Sequence, residues 1–421
     1  MEKRAITQSA NPVLPARVFT PDALLPPRRA IAAFLARVAL GPLEVEYVTL
    51  ESAQGRVLAQ TIVTDDDYPN AARSAMDGFA VVAEGAPGSF RIIGEVPMGG
   101  RSQLAITRTS ATRIPTGGVL PAGANAVVPI EDARMEGDVV TIETPVEAGA
   151  NVVERSADMR CGEAIMHARR RIRPSDIGVL ATLGIVSIPV YRRPVFAVLS
   201  SGDELVEPNM RPAPGQIRDS NRYVIAASLR AMGADARHYP TLRDESEEFA
   251  SALATAIAEC DGVAITGGSS VGERDRLPDA VVRIAKPGII VHGLRVKPGK
   301  PTLFGAHGSK PILGLPGNPT SALMMLEAVA APIVAALTGA PVAGSTLTAR
   351  LTAPAHSRPG WTWYIPVELE NDGGTPLAHP LPLRSFSVSL TARADGFIIM
   401  DESDEEWPAG APVAVHRFLG G

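Results

Sequence analysis

Between residues 194 and 338, short apolar runs alternate with longer amphipathic stretches. The runs "PVFAVLS", "GVAIT" and "ILGL" are continuously apolar, as is typical of strands buried on both faces. Between and after them, "NRYVIAASLRAMG", "DESEEFASALATAIAEC" and "NPTSALMMLEAVAAPIVAAL" have the spacing of helices. This alternation predicts an α/β domain, in which helices cover both faces of a parallel-type sheet.

The flanking regions have a different pattern, with short alternating runs separated by Gly and Pro. Examples are "GFAVVA" and "SFRIIGEV" before the α/β region, and "TLTARLTA" and "WTWYIPVELE" after it. Such runs predict small β-rich domains. We therefore expect a multidomain α/β chain with these parts: a mobile leader (1–24), an elongated N-terminal domain in two segments (25–63 and 151–190), a β-rich domain (64–150), the α/β domain (191–340) and a C-terminal β domain (344–421).

Three unusual loops follow the predicted strands of the α/β domain: "SSGDEL" (200–205), "TGGSSVGERD" (266–275) and "LPGNPTS" (315–321). The carboxyl ends of parallel strands meet at one edge of a sheet, where ligands commonly bind. In the third loop, Asn318 can cap the following helix and Pro319 can occupy its first turn. Free N–H groups at that helix start would form an anion site, so the three loops together predict a ligand pocket.

Several residues of these loops also have a plainer interpretation. Gly267 and Gly268 could serve only a turn, and Asp203 and Glu204 could be solvated charges. Asp244, with Glu247, fits a capping box for the next helix. Asp275 could cap a helix, or its oxygens could hold a metal ion or a phosphate-bound magnesium. The spacing alone leaves these alternatives open.

The segment "RVKPGKPTLFG" (295–305) supplies a basic counterpart. Lys297 and Lys300 flank a Pro-Gly turn, which would project both ammonium groups toward one place. An oxyanion contact and an ordinary pair of surface lysines are both compatible with this pattern.

Composition and charge exclude several functional classes. The net charge of −5 and the absence of basic stretches with regular aromatics argue against a nucleic-acid or membrane partner. Two isolated cysteines, and histidines without metal-ligand spacing, favour a reducing cytoplasm over a disulfide framework or zinc site. The N-terminus lacks a signal-peptide core, and Glu327 and Pro332 interrupt the apolar segment 320–338.

Taken in order, these motifs resemble the molybdopterin molybdenumtransferases, the family of bacterial MoeA and the gephyrin E domain. The resemblance covers residues 25–420 and includes further stretches: "SAMDGFAV" (74–81), "PTGGVLPAGANAVVPIE" (115–131), "GANVVERSADMRCGE" (149–163), "RIRPSDIGVLATLGI" (171–185) and "GQIRDSNRYVI" (215–225). It implies a central MogA-like α/β domain, a β-rich N-terminal insertion and a β-barrel-like C-terminal domain. The implied reaction inserts molybdate into adenylyl-molybdopterin and releases AMP.

The resemblance also assigns expected roles to individual residues. Lys297 and Lys300, with Arg358 and Ser385, are expected to bind molybdate. Glu204, Asp244 and Asp275 match cleft carboxylates, with Glu204 and Asp275 as candidate Mg²⁺ ligands. The expected contacts to molybdopterin come from the strand-end loops and the segment 215–225: Ser201, Gly202, Asp203, Asp219, Asn221, Gly267, Gly268, Ser269, Ser270, Gly272, Pro316, Gly317, Asn318 and Pro319.

Asp77 and Thr116 match residues that reach the cleft from a partner subunit, which implies a homodimer with shared sites. Further implied partners are a molybdopterin adenylyltransferase and molybdoenzyme chaperones. The chain departs from the family at Arg73, Pro115 (usually Met), Ser156 (usually Gly) and 384–396. Alternatives are therefore a paralogue that prefers tungstate, a molybdopterin adenylyltransferase, or a non-catalytic scaffold of the gephyrin type.

Overall fold

A computed structural model describes residues 19–20, 23–100, 102–243, 246–268, 276–342, 344–371, 373–383 and 387–419. The described residues fall into two compact units. The larger comprises residues up to 59, 169–173 and 187 onward, and the smaller comprises 60–168 and 174–186.

The larger unit contains a central six-stranded sheet. In spatial order its strands are Asp235–His238, Val195–Ser200, Gly262–Thr266, Lys310–Leu315, Leu303–His307 and Pro287–His292. The first four are parallel to one another, whereas Leu303–His307 pairs antiparallel on both sides. The predicted α/β domain is confirmed, with the addition of this antiparallel edge.

Alternate side chains of the central strands enter two separate cores. Phe196 and Val198 contact one cluster, formed with helices Pro27–Arg37, Asn221–Ala231 and Pro319–Thr338, and Ala197 and Leu199 contact the other. The second core is formed with helices Ser246–Glu259 and Leu277–Ile284. Both faces are thus covered, and the period-two alternation explains why the strand sequences are continuously apolar.

The apolar stretch after residue 318 forms a helix in three parts. An α-helical segment, Pro319–Met324, is followed by a π-helical segment, Met325–Ala330, and by a second α-helical segment, Ala331–Thr338. Among the described residues this is the one helix long and apolar enough to cross a membrane, but 72% of its most apolar window is buried inside the protein. It is therefore a core helix of the central domain.

The C-terminal domain is a small closed barrel in the same unit. Its strands run in the order Thr362–Glu370, Leu377–Pro380, Thr346–Leu351, Pro412–Arg417 and Gly396–Met400, and the last pairs back with the first. Val296–Lys297, from the loop between the central-sheet strands Pro287–His292 and Leu303–His307, adds in parallel to Thr362–Trp363. The barrel thereby lies against the lysine-bearing loop of the central domain.

The remainder of the larger unit is short. Val45–Val48 pairs with Ile188–Tyr191, and a one-turn helix, Leu50–Ala53, follows the first strand. Within the predicted leader, the Phe19 ring contacts the His292 ring edge-on at 5.2 Å between centroids, and Leu24 is buried. These contacts place the end of the segment 1–24 against the central domain.

The smaller unit is built around a second six-stranded sheet. Its spatial order is Ala126–Pro129, Gly78–Val81, Ser110–Ile114, Gly88–Glu95, Val139–Ile142 and Arg134–Glu136. Two short strand pairs and one helix complete the unit: Arg73–Ser74 with Val152–Val153, Ile62–Val63 with Ala164–Met166, and Pro174–Thr182.

Candidate functional site

Three neighbouring strands of the central sheet end side by side. Ser200, Thr266 and Leu315 are in register, and the amide of Ser201 donates to the Thr266 carbonyl at 2.9 Å. The amide of Gly267 donates to the Leu315 carbonyl at 3.3 Å. The three predicted loops therefore leave the same edge of the sheet, as the strand order requires.

These loops enclose a cleft of about 690 Å³. The side chains and backbone that line it include nine residues predicted from the sequence: Ser201, Gly202, Glu204, Asp219, Asn221, Gly267, Gly268, Gly317 and Pro319. Sequence reasoning missed five others that line the same cleft: Leu205, Ile217, Arg218, Ser220 and Thr266. Among predicted neighbours, Asp203 is exposed in the first loop and Pro316 is buried in the third.

Gly267 shows why this loop contains paired glycines. Its φ is +85°, and a Cβ placed on it would lie 2.3 Å from the carbonyl oxygen of Ser201. The turn thus needs both the left-handed conformation and the missing side chain. Glycine here lets the backbone of two adjacent loops approach closely beneath the cleft.

The third loop begins a helix as predicted. The Asn318 side chain accepts a hydrogen bond from the amide of Ser321 at 3.4 Å, and Pro319 occupies the first turn. The Asn221 side chain donates to the carbonyl of Gly317 at 2.7 Å and so fixes this loop against the neighbouring helix. The start of this helix borders the cleft through Pro319, and a helix start favours anions.

A buried polar group closes the floor of the cleft. Asp219 is 1% exposed, and its Oδ2 has no hydrogen-bond partner among the described residues, although Arg222 Nε lies 3.5 Å away. Arg222 is itself buried and donates to both carboxylate oxygens of Glu207, at 2.7 and 2.6 Å. The Oδ1 of Asn221 is likewise buried without a partner in the described part of the chain. Unsatisfied oxygens at a cleft suit ligand N–H or O–H groups, or a cation.

A second pocket, of about 830 Å³, contains the predicted basic residues. Lys297, Lys300 and Arg358 all line it, so both lysines beside the Pro-Gly turn border one cavity. Ser321, Trp361 and Trp363 complete its polar and aromatic lining, and sequence reasoning missed these three. The sequence did contain a signal for the two tryptophans. They are two of only three in the chain and stand at positions i and i+2, and alternate residues of a strand share a face.

The two pockets border the start of the same helix. Pro319 lines the first and Ser321, two residues later, lines the second. The structure therefore brings the predicted molybdopterin contacts and the predicted oxyanion contacts to the same helix start.

Other predicted residues lie elsewhere. In the smaller unit, the amide and hydroxyl of Thr116 both donate to Asp77 Oδ1, at 2.7 and 3.0 Å. These bonds, the backbone one foremost, hold the pKa of the Asp77 carboxyl below its usual range. The two expected partner-subunit residues are thus one hydrogen-bonded pair. Asp244, Ser269, Ser270, Gly272, Asp275 and Ser385 lie outside the described residues.

The departures from the family have identifiable environments in the smaller unit. Ser156 has a φ of +59°, the conformation that glycine adopts without strain, which agrees with glycine being usual there. Arg73 donates to the carbonyl of Gly117 at 2.9 Å, in the turn that follows Pro115 and Thr116. Both substitutions are accommodated without loss of a predicted ligand.

Comparisons with known proteins cover almost the entire chain. Three family models match in sequence order: the MoeA N-terminal region (domains I and II) over residues 25–184, a probable molybdopterin-binding domain over 197–336, and the MoeA C-terminal region (domain IV) over 348–418. A molybdopterin molybdenumtransferase from Nostoc is 33% identical over 306 residues, or 70% of each chain. Molybdopterin molybdenumtransferase 2 from Mycobacterium tuberculosis is 30% identical over 87% of this chain and 94% of its own.

Among solved structures, the molybdopterin biosynthesis MoeA protein from Pyrococcus horikoshii is similar throughout. It has a TM-score of 0.81 and 29% identity, and the match covers 94% of this chain and all of that one. The similarity therefore includes both β-rich regions as well as the central domain.

Proposed function

The chain belongs to the MoeA family of molybdopterin molybdenumtransferases, and from that premise we propose that it inserts molybdate into adenylyl-molybdopterin with release of AMP. It is a transferase of molybdenum cofactor biosynthesis. The observation that carries the chemical proposal is the shared helix start, because Pro319 borders the glycine-lined cleft and Ser321 borders the lysine pocket.

The cleft has the properties that adenylyl-molybdopterin requires. Phosphate oxygens can accept hydrogen bonds from backbone N–H groups at a helix start, and the start of the helix Pro319–Thr338 borders the cleft. The buried oxygens of Asp219 and Asn221 can accept hydrogen bonds from the ring N–H groups of a pterin or purine, which would satisfy both. The phosphates and the ring N–H groups of this substrate thus have matching groups at the described cleft.

The second pocket has the properties that molybdate requires. Molybdate is a tetrahedral dianion, and it must approach a substrate that is already anionic. Lys297, Lys300 and Arg358 offset that repulsion by supplying three positive groups around one cavity. The side chains hold the oxyanion in place beside the pterin cleft, which lowers the entropic cost of bringing two anions together.

Magnesium fits the cleft as an ion held mainly by substrate phosphates. Among the described residues no three His, Cys, Asp or Glu side chains are grouped as a metal cage. Glu204 and Asp219 nevertheless place carboxylates at the cleft, and Mg²⁺ typically binds one or two carboxylates together with phosphates and waters. When bound, the ion would neutralise phosphate charge as AMP leaves. Asp275, the other predicted ligand, lies outside the described residues.

We also propose a homodimer in which the Asp77–Thr116 pair reaches the partner's cleft. The exposure and mutual hydrogen bonds of this pair support a preorganised carboxylate that serves a ligand. Mixing Asp77→Asn protein with Glu204→Gln protein should restore activity, because hybrid dimers would contain one intact site. Equal inactivity of the mixture and its components would argue against shared sites. The proposal also includes a molybdopterin adenylyltransferase that donates the substrate and molybdoenzyme chaperones that accept the product, which co-purification tests. It places the protein in the cytoplasm, which cell fractionation tests.

The central test measures AMP release from adenylyl-molybdopterin by the purified protein. Release should require molybdate and should stop when EDTA removes Mg²⁺. Lys297→Met should raise the half-saturating molybdate concentration about tenfold or more, because a charge-assisted contact contributes about 1.5–3 kcal/mol. Lys286→Met, at an exposed lysine outside both pockets, is the matched control. AMP release that is independent of molybdate would refute the proposed reaction, and a parallel tungstate titration measures metal preference.

A further inference from the structure

Both lysines of the oxyanion pocket lie over aromatic rings. The Nζ atom of Lys297 is 4.3 Å from the ring centroid of Trp363, and that of Lys300 is 5.4 Å from the ring centroid of Phe19. In the part of the chain that the structure describes, neither ammonium group forms an ion pair with a carboxylate. Arg295, two residues before Lys297, lies 3.5 Å from the Glu402 carboxylate. A carboxylate near this loop is therefore paired with an arginine and not with either lysine.

An aromatic partner has a consequence that a carboxylate partner lacks. Both hold an ammonium group in place, but a carboxylate also neutralises it and competes with an incoming anion. The face of an indole ring attracts a cation through its quadrupole and leaves the full positive charge in place. A lysine that rests on a ring is therefore fixed in position while remaining available to an oxyanion.

Backbone strand pairing brings Lys297 and Trp363 together. These two residues are direct partners in the short parallel pairing of Val296–Lys297 with Thr362–Trp363. The amide of Thr362 also donates to the carbonyl of Arg295 at 3.1 Å, next to this pairing. The register thus delivers one ring from the C-terminal barrel to one ammonium group of the central domain.

We propose that Trp363 is a positioning residue for oxyanion binding, which holds the Lys297 ammonium group over its indole face without neutralising it. The proposal rests on the proposed function, because it assigns the molybdate contact of that same site. It also gives the C-terminal barrel a defined part in the reaction, since the barrel supplies the ring as well as Arg358.

The first experiment compares Trp363→Leu with Trp363→Phe in the molybdate-dependent AMP-release assay. The leucine variant should raise the half-saturating molybdate concentration about three- to fivefold with an unchanged maximal rate, as expected for one cation–π contact. The phenylalanine variant retains a ring face and should recover part of this loss. Trp407→Phe replaces an indole elsewhere in the barrel and should match the parent protein. Equal losses in the leucine and phenylalanine variants, or a fall only in the maximal rate, would overturn the assignment.

A double-mutant cycle separates positioning from general packing. In a Lys297→Met background, Trp363→Leu should have no further effect on the molybdate requirement, because the ring has no ammonium group left to hold. Additive effects of the two substitutions would show that Trp363 acts independently of Lys297. Thermal unfolding of each variant verifies that the barrel remains folded.

A binding measurement tests the contact without turnover. In a Trp361→Phe, Trp407→Phe background, Trp363 is the only indole of the chain. Its emission should change when molybdate alone is titrated into the protein, and Lys297→Met should abolish that change. If emission responds but AMP release does not depend on molybdate, the positioning role stands and the proposed reaction falls. An emission spectrum that is indifferent to molybdate while AMP release still depends on it would refute the positioning role.

Discussion

Replacing Gly267 with alanine should damage the cleft in two separable ways. The left-handed backbone, with φ at +85°, costs an L-residue about 1 kcal/mol. The added Cβ would also lie 2.3 Å from the Ser201 carbonyl oxygen, about 1 Å closer than ordinary contact, and relieving this overlap costs about 2 kcal/mol. The hydrogen bonds of Ser201 to Thr266 and of Gly267 to Leu315 oppose a simple outward shift of either loop.

Gly308→Ala is a matched control, in the turn between the strands Leu303–His307 and Lys310–Leu315 of the same sheet. Gly308 also has a positive φ, +60°, but a Cβ there would meet nothing within 4 Å. It should therefore lower the melting temperature of the central domain by about 3 °C, whereas Gly267→Ala should lower it by about 9 °C, at roughly 3 °C per kcal/mol. Differential scanning calorimetry measures both shifts. AMP binding, measured by isothermal titration calorimetry, should weaken at least tenfold only in the Gly267 variant. Equal melting temperatures in the two variants would refute the close-approach argument.

Two further substitutions test the buried charges. Arg222→Met should destabilise the protein by about 3–5 kcal/mol in urea unfolding, because it leaves the 1%-exposed carboxylate of Asp219 without its nearest cation. Arg230→Met, at an exposed position of the same helix, should lower the free energy of unfolding by under about 1 kcal/mol. Similar losses in the two variants would contradict the reasoning. Burial raises the pKa of the Glu327 carboxyl above its usual value. The contribution of this group to folding stability is therefore fully present below the unfolded pKa of about 4.5. It is lost as pH rises through the folded pKa. Glu327→Gln should therefore gain in melting temperature relative to the parent protein between pH 5 and pH 8, and a difference that does not change with pH would exclude ionisation of Glu327 as the cause.

The sequence was informative wherever a residue's role depends on local geometry. Paired glycines at 267–268, the Asn318 cap and the Pro-Gly turn between Lys297 and Lys300 have short-range signatures. The glycines and the Pro-Gly turn each line a pocket, and Asn318 caps the helix that borders both. The common edge of the three loops followed from the strand–helix alternation, because that alternation predicts parallel strands, whose carboxyl ends lie at one edge.

Features that depend on long-range pairing could not be read in this way. Trp363 meets Lys297 through a two-residue strand pairing that spans the central domain and the barrel, and no local pattern specifies that register. The antiparallel strand Leu303–His307 was missed because its signal lies next to the conspicuous lysine motif. The buried pair of Arg222 and Asp219 combines two charged residues that composition would place at the surface.

Glu327, in the π-helical segment Met325–Ala330, also affects whether this helix could enter a membrane during synthesis. Its helix, Pro319–Thr338, is long and apolar enough for a translocation channel to pass it sideways into lipid before the domain has folded. Glu327 lies near the midpoint of that span, where an ionisable group opposes insertion by about 3 kcal/mol. A carboxyl group that the finished protein buries therefore also makes insertion of this segment into a bilayer less favourable before the sheet covers it.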